Sequence, residues 1–242
     1  MLLLVIVFLG LAHYEMPSDH LWDQMWEMVC LAVAFTGLAV RIITIGYLLK
    51  GTSGRSTTTI GAASLNTSGM YSIVRNPLYL GNALIWLGIS MLLRQWWVTL
   101  LFLLIFWLYY ERIIYAEEDF LWEKFGDEFM AWAAKTPAFL PRLKNWVPPD
   151  RPFSVRKVLR RDYSAFFAII SAFTVMEILC DSRAMGKPEM DHLWLGLFIG
   201  GAAIYVTLRT LKKKTGVLDS PLELDHENQI PEEASEPPLE NA

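Results

Sequence analysis

The chain reads Leu65-Asn66-Thr67-Ser68-Gly69-Met70-Tyr71-Ser72-Ile73-Val74-Arg75-Asn76-Pro77-Leu78-Tyr79-Leu80-Gly81, and two apolar runs follow. Then come Glu117-Glu118-Asp119-Phe120-Leu121, with Phe125-Gly126, Phe129, Trp132, Pro137 and Pro141 behind them. A polar segment broken by Gly69 and Pro77 is thus joined to a doubled acid through a hairpin of apolar helices. Gly69 follows Thr67-Ser68 and permits a tight turn. Pro77 pushes Asn76 out of the helical region and can itself begin a helix. Arg75 and Asn76 therefore stand at the entry to an apolar helix, where free backbone N–H groups favour a carboxylate or phosphate. At the other end of the hairpin, Glu111, Tyr115 and Glu118 share one helical face by i, i+4, i+7 spacing. Tyr110 and Glu117 share an adjacent face.

Working outward, the composition demands a membrane. Hydrophobic residues make up 54% of the 242 and charged residues 19%, below the roughly 25% usual for soluble domains. The apolar residues fall in blocks at Trp26–Leu49, Leu78–Leu93, Trp96–Tyr115, Tyr163–Cys180 and Leu193–Arg209. Met1–Ala12 is apolar but shorter than the ~20 residues a span needs, and reads as a short or re-entrant first helix. The expected fold class is all-α, a polytopic transmembrane helical bundle of five to six membrane helices. Four regions are expected: a short apolar N-terminal segment (1–25), a membrane core (26–162), a C-terminal transmembrane helix pair (163–214) and a disordered acidic tail (215–242).

Lys and Arg placement sets the expected orientation. Lys50, Arg55 and Arg75 precede the hairpin, a basic run from Lys124 to Arg161 follows it, and Lys212–Lys214 close the last span. The alternate loops hold only Arg94, Arg183 and Lys187. Both motif segments should therefore face the cytoplasm, which requires a tight turn at Arg94-Gln95. The basic Arg151–Arg161 stretch either reflects this topology or attracts anionic headgroups. The net charge of −4 gives no sign of a nucleic-acid partner. Cys30 and Cys180 form no disulfide framework, and no His/Cys cluster has zinc spacing. Gly196, Gly200 and Gly201 permit close helix packing on the last span; the oligomeric state is left open.

Individual residues each have a bland reading beside the chemical one. Arg75-Asn76-Pro77 alone is an ordinary helix start, and Tyr71 and Tyr79 alone are interfacial aromatics. Glu118 and Asp119 alone are a hydrated helix leaving lipid. Arg41 lies about nine residues, or ~13 Å, before Lys50 inside a span. An ionisable group at that depth is a candidate site residue; it can grip an acidic headgroup, pair with Glu117, or snorkel outward. Arg112 can pair with the nearby acids or hold an anionic substrate.

The whole pattern from Leu65 to Arg142 resembles the isoprenylcysteine carboxyl methyltransferase and phospholipid methyltransferase superfamily, integral membrane enzymes that use S-adenosylmethionine. The resemblance implies a cofactor pocket of Ala63, Ser64, Leu65, Asn66, Tyr71, Asn76, Pro77, Leu78, Tyr79 and Glu117. With the motif arginine and the boundary acids read together, Arg75 and Glu118 are the catalytic candidates; Arg41, by its depth in a span, and Arg112, beside the family's arginine position, are the substrate-binding ones. Most members have histidine where this chain has Asn76, which can hydrogen-bond but cannot shuttle a proton. The arginine often found four residues before the first acid is Ile113 here, with Arg112 beside it. The implied function is methyl transfer to a membrane lipid or lipidated acceptor, including carboxyl O-methylation of prenylcysteine. Phospholipid amine N-methylation and lipid-phosphate O-methylation compete with it. A sterol-type membrane reductase and a non-catalytic scaffold are the readings from other classes. An anionic acceptor needs no base, so the missing histidine leans toward an oxyanion.

Overall fold

The structure, a computed structural model, describes residues 2–15, 20–48, 64–186, 192–215 and 217. Among them every regular element is helical: α1 (Leu2–Ala12), α2 (His20–Tyr47), α3 (Met70–Ile73), α4 (Pro77–Met91), α5 (Trp96–Phe125), α6 (Asp127–Ala133), a 3-10 turn (Leu143–Asn145), α7 (Val155–Met185) and α8 (His192–Lys214). Four of these, α2, α5, α7 and α8, are long and apolar enough to cross a membrane, and α4 is a shorter apolar helix. The fold is an all-helical membrane bundle. Much of the large apolar surface is exposed, including Leu104, Leu108 and Tyr109 on α5 and Ile199 and Val206 on α8. So much exposed apolar area requires lipid around it.

Small residues set the central seam. Cys30, Ala34, Gly37 and Arg41 recur along one face of α2 and meet Gly81, Ile85 and Gly88 of antiparallel α4. A Cβ on Gly81 would lie 2.6 Å from Arg41 Cγ and 2.8 Å from the Gly37 carbonyl. A Cβ on Gly88 would lie 2.8 Å from the Ala34 nitrogen. The two backbones approach this closely only because those side chains are missing, the usual device where lipid offers no hydrophobic drive between helices. Ile169, Phe173, Met176 and Cys180 of α7 complete the core against Cys30, Ala34, Leu38, Ile85 and Ile89. Both cysteines are free and buried.

The hairpin of α4 and α5 turns at Arg94, which takes φ 55°. Arg94 ion-pairs with Asp23 at the start of α2, and Trp26 Nε1 donates to the Met91 carbonyl at 3.0 Å. The start of α2 is thereby tied to the turn. Helix α1, at eleven residues, is about 16 Å long and inserts Ile6 into the core near this end.

Four helices run beyond the spans read from the sequence, among them α8, which continues past Arg209 to Lys214. α5 continues from Tyr115 to Phe125, where Gly126 at φ 50° ends it. α7 begins at Val155 rather than Tyr163, because the Ser154 side chain caps it by accepting from the Lys157 nitrogen. α2 starts at His20 rather than Trp26. In each case the extra turns are charged helix outside the apolar block, which hydropathy cannot report. On α8, Gly201 meets Phe167 of α7 while Gly196 and Gly200 face open space. The glycine spacing therefore packs through one member only.

Candidate active site

Gly69 takes φ 58°, ψ −132° ahead of α3, a conformation strained for any side chain. That turn lets its N–H reach the Val147 carbonyl at 2.9 Å. Ser72 Oγ donates to the Gly69 carbonyl at 2.7 Å and accepts from the Val147 nitrogen at 3.0 Å. Trp132 Nε1 donates to the Tyr71 carbonyl at 3.1 Å. The Arg142 nitrogen donates to the Ile73 carbonyl and the Arg75 nitrogen to the Pro137 carbonyl, both at 2.9 Å. These bonds wrap the 132–147 stretch around the first motif and put both motif segments at one end of the bundle. Burial raises the Tyr71 phenol above its ordinary range, so it stays neutral there.

Pro77 occupies the first turn of α4 and Asn76 precedes it in a non-helical conformation, φ −121° and ψ 60°. Asn76 makes no side-chain cap. Its Nδ2 instead donates to Glu118 Oε1 and to the Ala138 carbonyl, each at 3.1 Å. Arg75 Nε lies 3.1 Å from the same Glu118 oxygen. Tyr79 donates its hydroxyl hydrogen to Glu117 Oε1 at 2.7 Å. Consecutive residues on a helix point about 100° apart, so the doubled acid serves two sets of partners. Glu117 faces Tyr79, and Glu118 faces Arg75 and Asn76.

A second polar layer lies one turn deeper. Asn82 Nδ2 donates to the Tyr110 hydroxyl at 3.3 Å. Asn82 Oδ1 accepts from Arg41 at 2.6 Å. Arg41 Nε donates to Asp162 Oδ2 at 3.0 Å and its second terminal nitrogen pairs with Oδ1. The Arg41 and Asp162 side chains are 9% and 1% exposed, so each compensates a charge that would otherwise be costly to bury. The Tyr110 ring lies 4.9 Å from Tyr79 and stacks on Phe106 at 4.2 Å. The two layers therefore touch through Tyr79 and Tyr110, and between them they engage α2, α4, α5 and α7.

Most of the residues expected from sequence converge here. Arg75, Asn76, Tyr79, Glu117 and Glu118 form the upper layer. Pro77 is buried behind it, and Leu78 is half-buried beside it in sequence. Tyr71 lies on α3; Leu65 and Asn66 are half-buried upstream, and Ser64 is exposed. Ala63 lies outside the described residues. Arg41 is held by Asp162 and Asn82, so gripping a headgroup would require that pairing to open. Arg112 is exposed on α5, away from the upper layer's hydrogen bonds. Asp162 and Asn82 were missed. Each had a signal: Asp162 is a lone acid between the basic Arg156–Arg161 run and an apolar block, and Asn82 is a lone amide within an apolar helix.

This fold and site define a polytopic helical membrane protein whose hairpin holds two polar motifs together. Residues 26–128 match the phospholipid methyltransferase family, and the resemblance read from the motif is borne out over that stretch. The chain is 39% identical over 124 residues to the cobalt-zinc-cadmium resistance protein CzcN of Cupriavidus metallidurans, covering 50% of this chain and 54% of that one. It is 33% identical over 113 residues to the protein-S-isoprenylcysteine O-methyltransferase of Schizosaccharomyces pombe, covering 43% and 48%. A third relative, from Oryza sativa subsp. indica and named "Probable protein-S-isoprenylcysteine O-methyltransferase", is 35% identical over 118 residues, covering 45% and 61%. The chain thus spans about half the length of the curated relatives it matches. No solved structure matches it.

Proposed function

We propose that the protein is an integral membrane methyltransferase that uses S-adenosylmethionine and methylates a lipid or lipidated acceptor. The observation that supports this best is the joining of the two motifs across the hairpin: Tyr79 to Glu117, and Arg75 with Asn76 to Glu118. Both acids and all three partners lie within the stretch that matches the family. The names of two relatives assign methyl transfer to isoprenylcysteine, whereas the metal-resistance name of the third assigns no chemistry.

The donor set suits the cofactor. Glu117 is held through Oε1 by Tyr79, and its carboxylate would accept from hydroxyl or ammonium groups of the cofactor. Tyr71 and Tyr79 offer flat apolar faces for an adenine ring. S-adenosylmethionine would bring an activated methyl group on a positive sulfonium. What the chain must then supply is position and exclusion of water. Glu118 lies against Arg75 and accepts from Asn76, and Arg75 Nη1 donates to the Ala133 carbonyl at 3.4 Å; the guanidinium held there would supply positive charge for an anionic acceptor. Asn76 does not titrate, so proton removal at that position is no part of the reaction, and an oxyanion acceptor fits best. The deeper layer with Asp162 supports Tyr110 and, through it, Tyr79. In this reading residues 26–162 are the methyltransferase core, the 163–214 helix pair flanks it, and the motif end faces the cytoplasm.

Incubation with methyl-labelled S-adenosylmethionine in lipid vesicles, followed by lipid extraction, tests the reading. Label in the lipid phase, lost in Glu117→Ala, is expected. Absence of both transfer and cofactor binding in well-folded protein would sink it.

A further inference from the structure

The outer face of the segment that wraps the site has a composition its inner face does not explain. Between Ala138 and Val155, Leu140 is 78% exposed, Leu143 74%, Trp146 47%, Val147 48%, Phe153 41% and Val155 58%. Arg142, Lys144 and Arg151 are exposed among them. From Phe129 to Arg161 the chain has eight Lys or Arg and a single acid, Asp150. The segment is too irregular to cross a bilayer; its regular structure is one 3-10 turn. Yet it is not a free loop. Five hydrogen bonds from 69–76 fasten Pro137, Ala138, Arg142 and Val147 to the first motif. Its far end is fastened too. The Ser154 nitrogen donates to the Gly46 carbonyl at 2.9 Å, and the Phe153 ring lies 5.3 Å from that of Tyr47.

Exposed Leu, Val, Phe and Trp interleaved with exposed Arg and Lys are what a segment lying in the headgroup region presents. Soluble surfaces rarely expose so many large apolar side chains together. The position agrees, because Val155 opens a helix that is a candidate membrane span. We propose that residues 138–155 lie on the bilayer surface as a basic, apolar-toothed strap that binds anionic lipid headgroups. The charge imbalance selects an anionic surface over a zwitterionic one. Since the strap is bonded to Asn76 and flanks Arg75, its seating also sets the depth of the site relative to the membrane surface. A lipid acceptor would then reach Arg75 from the plane in which the strap lies.

The test reads depth, and needs no knowledge of the acceptor. A nitroxide label is placed at Leu143→Cys in full-length protein, with Cys30 and Cys180 replaced by Ser. The protein is reconstituted either in phosphatidylcholine vesicles containing phosphatidylglycerol or in phosphatidylcholine alone. Relaxation by a water-soluble nickel chelate is compared with relaxation by oxygen, with a label at Glu128→Cys as the aqueous reference. In the anionic vesicles, residue 143 should be at least about fivefold less accessible to the chelate than residue 128. Arg142→Glu with Lys144→Glu and Arg151→Glu should remove that protection, while cofactor binding in detergent shows the triple variant folded. Equal chelate access at 143 and 128 in both lipids would overturn the proposal. So would protection by another protein in lipid-free detergent, which would make the strap a protein-docking surface instead.

Discussion

Asn76 has no ionisable group, yet it touches both an acid and a backbone carbonyl of the second motif, at Glu118 and Ala138. Its role is therefore that of a tie. Removing the amide leaves those acceptors short of a donor, a loss of about 1–3 kcal/mol. Asn76→Leu should lower methyl transfer with saturating cofactor, whereas Asn76→His, which keeps a donor, should remain active. An undiminished rate in the leucine variant would place residue 76 outside the working site. The Tyr79–Glu117 bond makes a different prediction, about affinity. Tyr79→Phe and Glu117→Gln should each weaken cofactor binding in calorimetry, by about 1–3 kcal/mol, and the double variant should cost less than the sum. Unchanged affinity in both single variants would remove the pair from the pocket. The motif residues were legible because Gly69, Pro77 and the doubled acid each impose a local constraint. Partner choice was not, since only the 100° step between Glu117 and Glu118 decides which acid meets which motif.

At the scale of elements, the Arg41–Asp162 pair binds α2 to α7 beside a cluster of buried apolar side chains. The sequence showed Arg41 as a charge at depth but could not show its partner, which lies 121 positions away. Loss of one member strands a buried charge, at about 3–5 kcal/mol. Asp162→Ala should therefore lower the unfolding temperature in detergent sharply. Arg41→Met combined with Asp162→Leu should recover most of the loss, because two apolar groups then fill the space. Additive destabilisation in the double variant would show that the pair is not a unit. The α2–α4 seam predicts a larger defect from a smaller change. A side chain at Gly88 runs into the backbone of α2 at Cys30 and Ala34, which cannot yield as a flexible side chain would. Gly88→Val should disrupt the seam, while Gly196→Val on α8, facing open space, should be tolerated in the same thermal assay. Hydropathy found these helices but not their ends, because capping at Ser154 and chain reversal at Gly126 are set by single polar or glycine residues.

For the molecule as a whole, the ends of the helices sort into two sets. Lys157 Nζ donates to the Leu48 carbonyl at 3.1 Å, which brings the close of α2 to the start of α7. The start of α4 meets the last turns of α5 through Tyr79–Glu117 and Asn76–Glu118. Lys212 lies 5.5 Å from the Tyr163 ring, so the basic end of α8 joins the same side. The other set gathers Asp23, Arg94 and the end of α7, where Arg183 reaches the Ala12 carbonyl. This division matches the charge asymmetry of the sequence, with most Lys and Arg at the motif end. Ser64 and Lys144 lie at the motif end and Arg183 at the opposite one. With Cys30 and Cys180 replaced by Ser, single cysteines at 64 and 144 should be labelled from one face of sealed vesicles and a cysteine at 183 from the other. The positive-inside rule assigns the first face to the cytoplasm. Ser64 and Lys144 flank the α4–α5 hairpin, whose two ends are held together by the Tyr79–Glu117 and Asn76–Glu118 bonds. Labelling from opposite faces would put the two motif segments on different sides of the membrane, and the hydrogen bonds from Asn76 to Glu118 and Ala138 could not then exist.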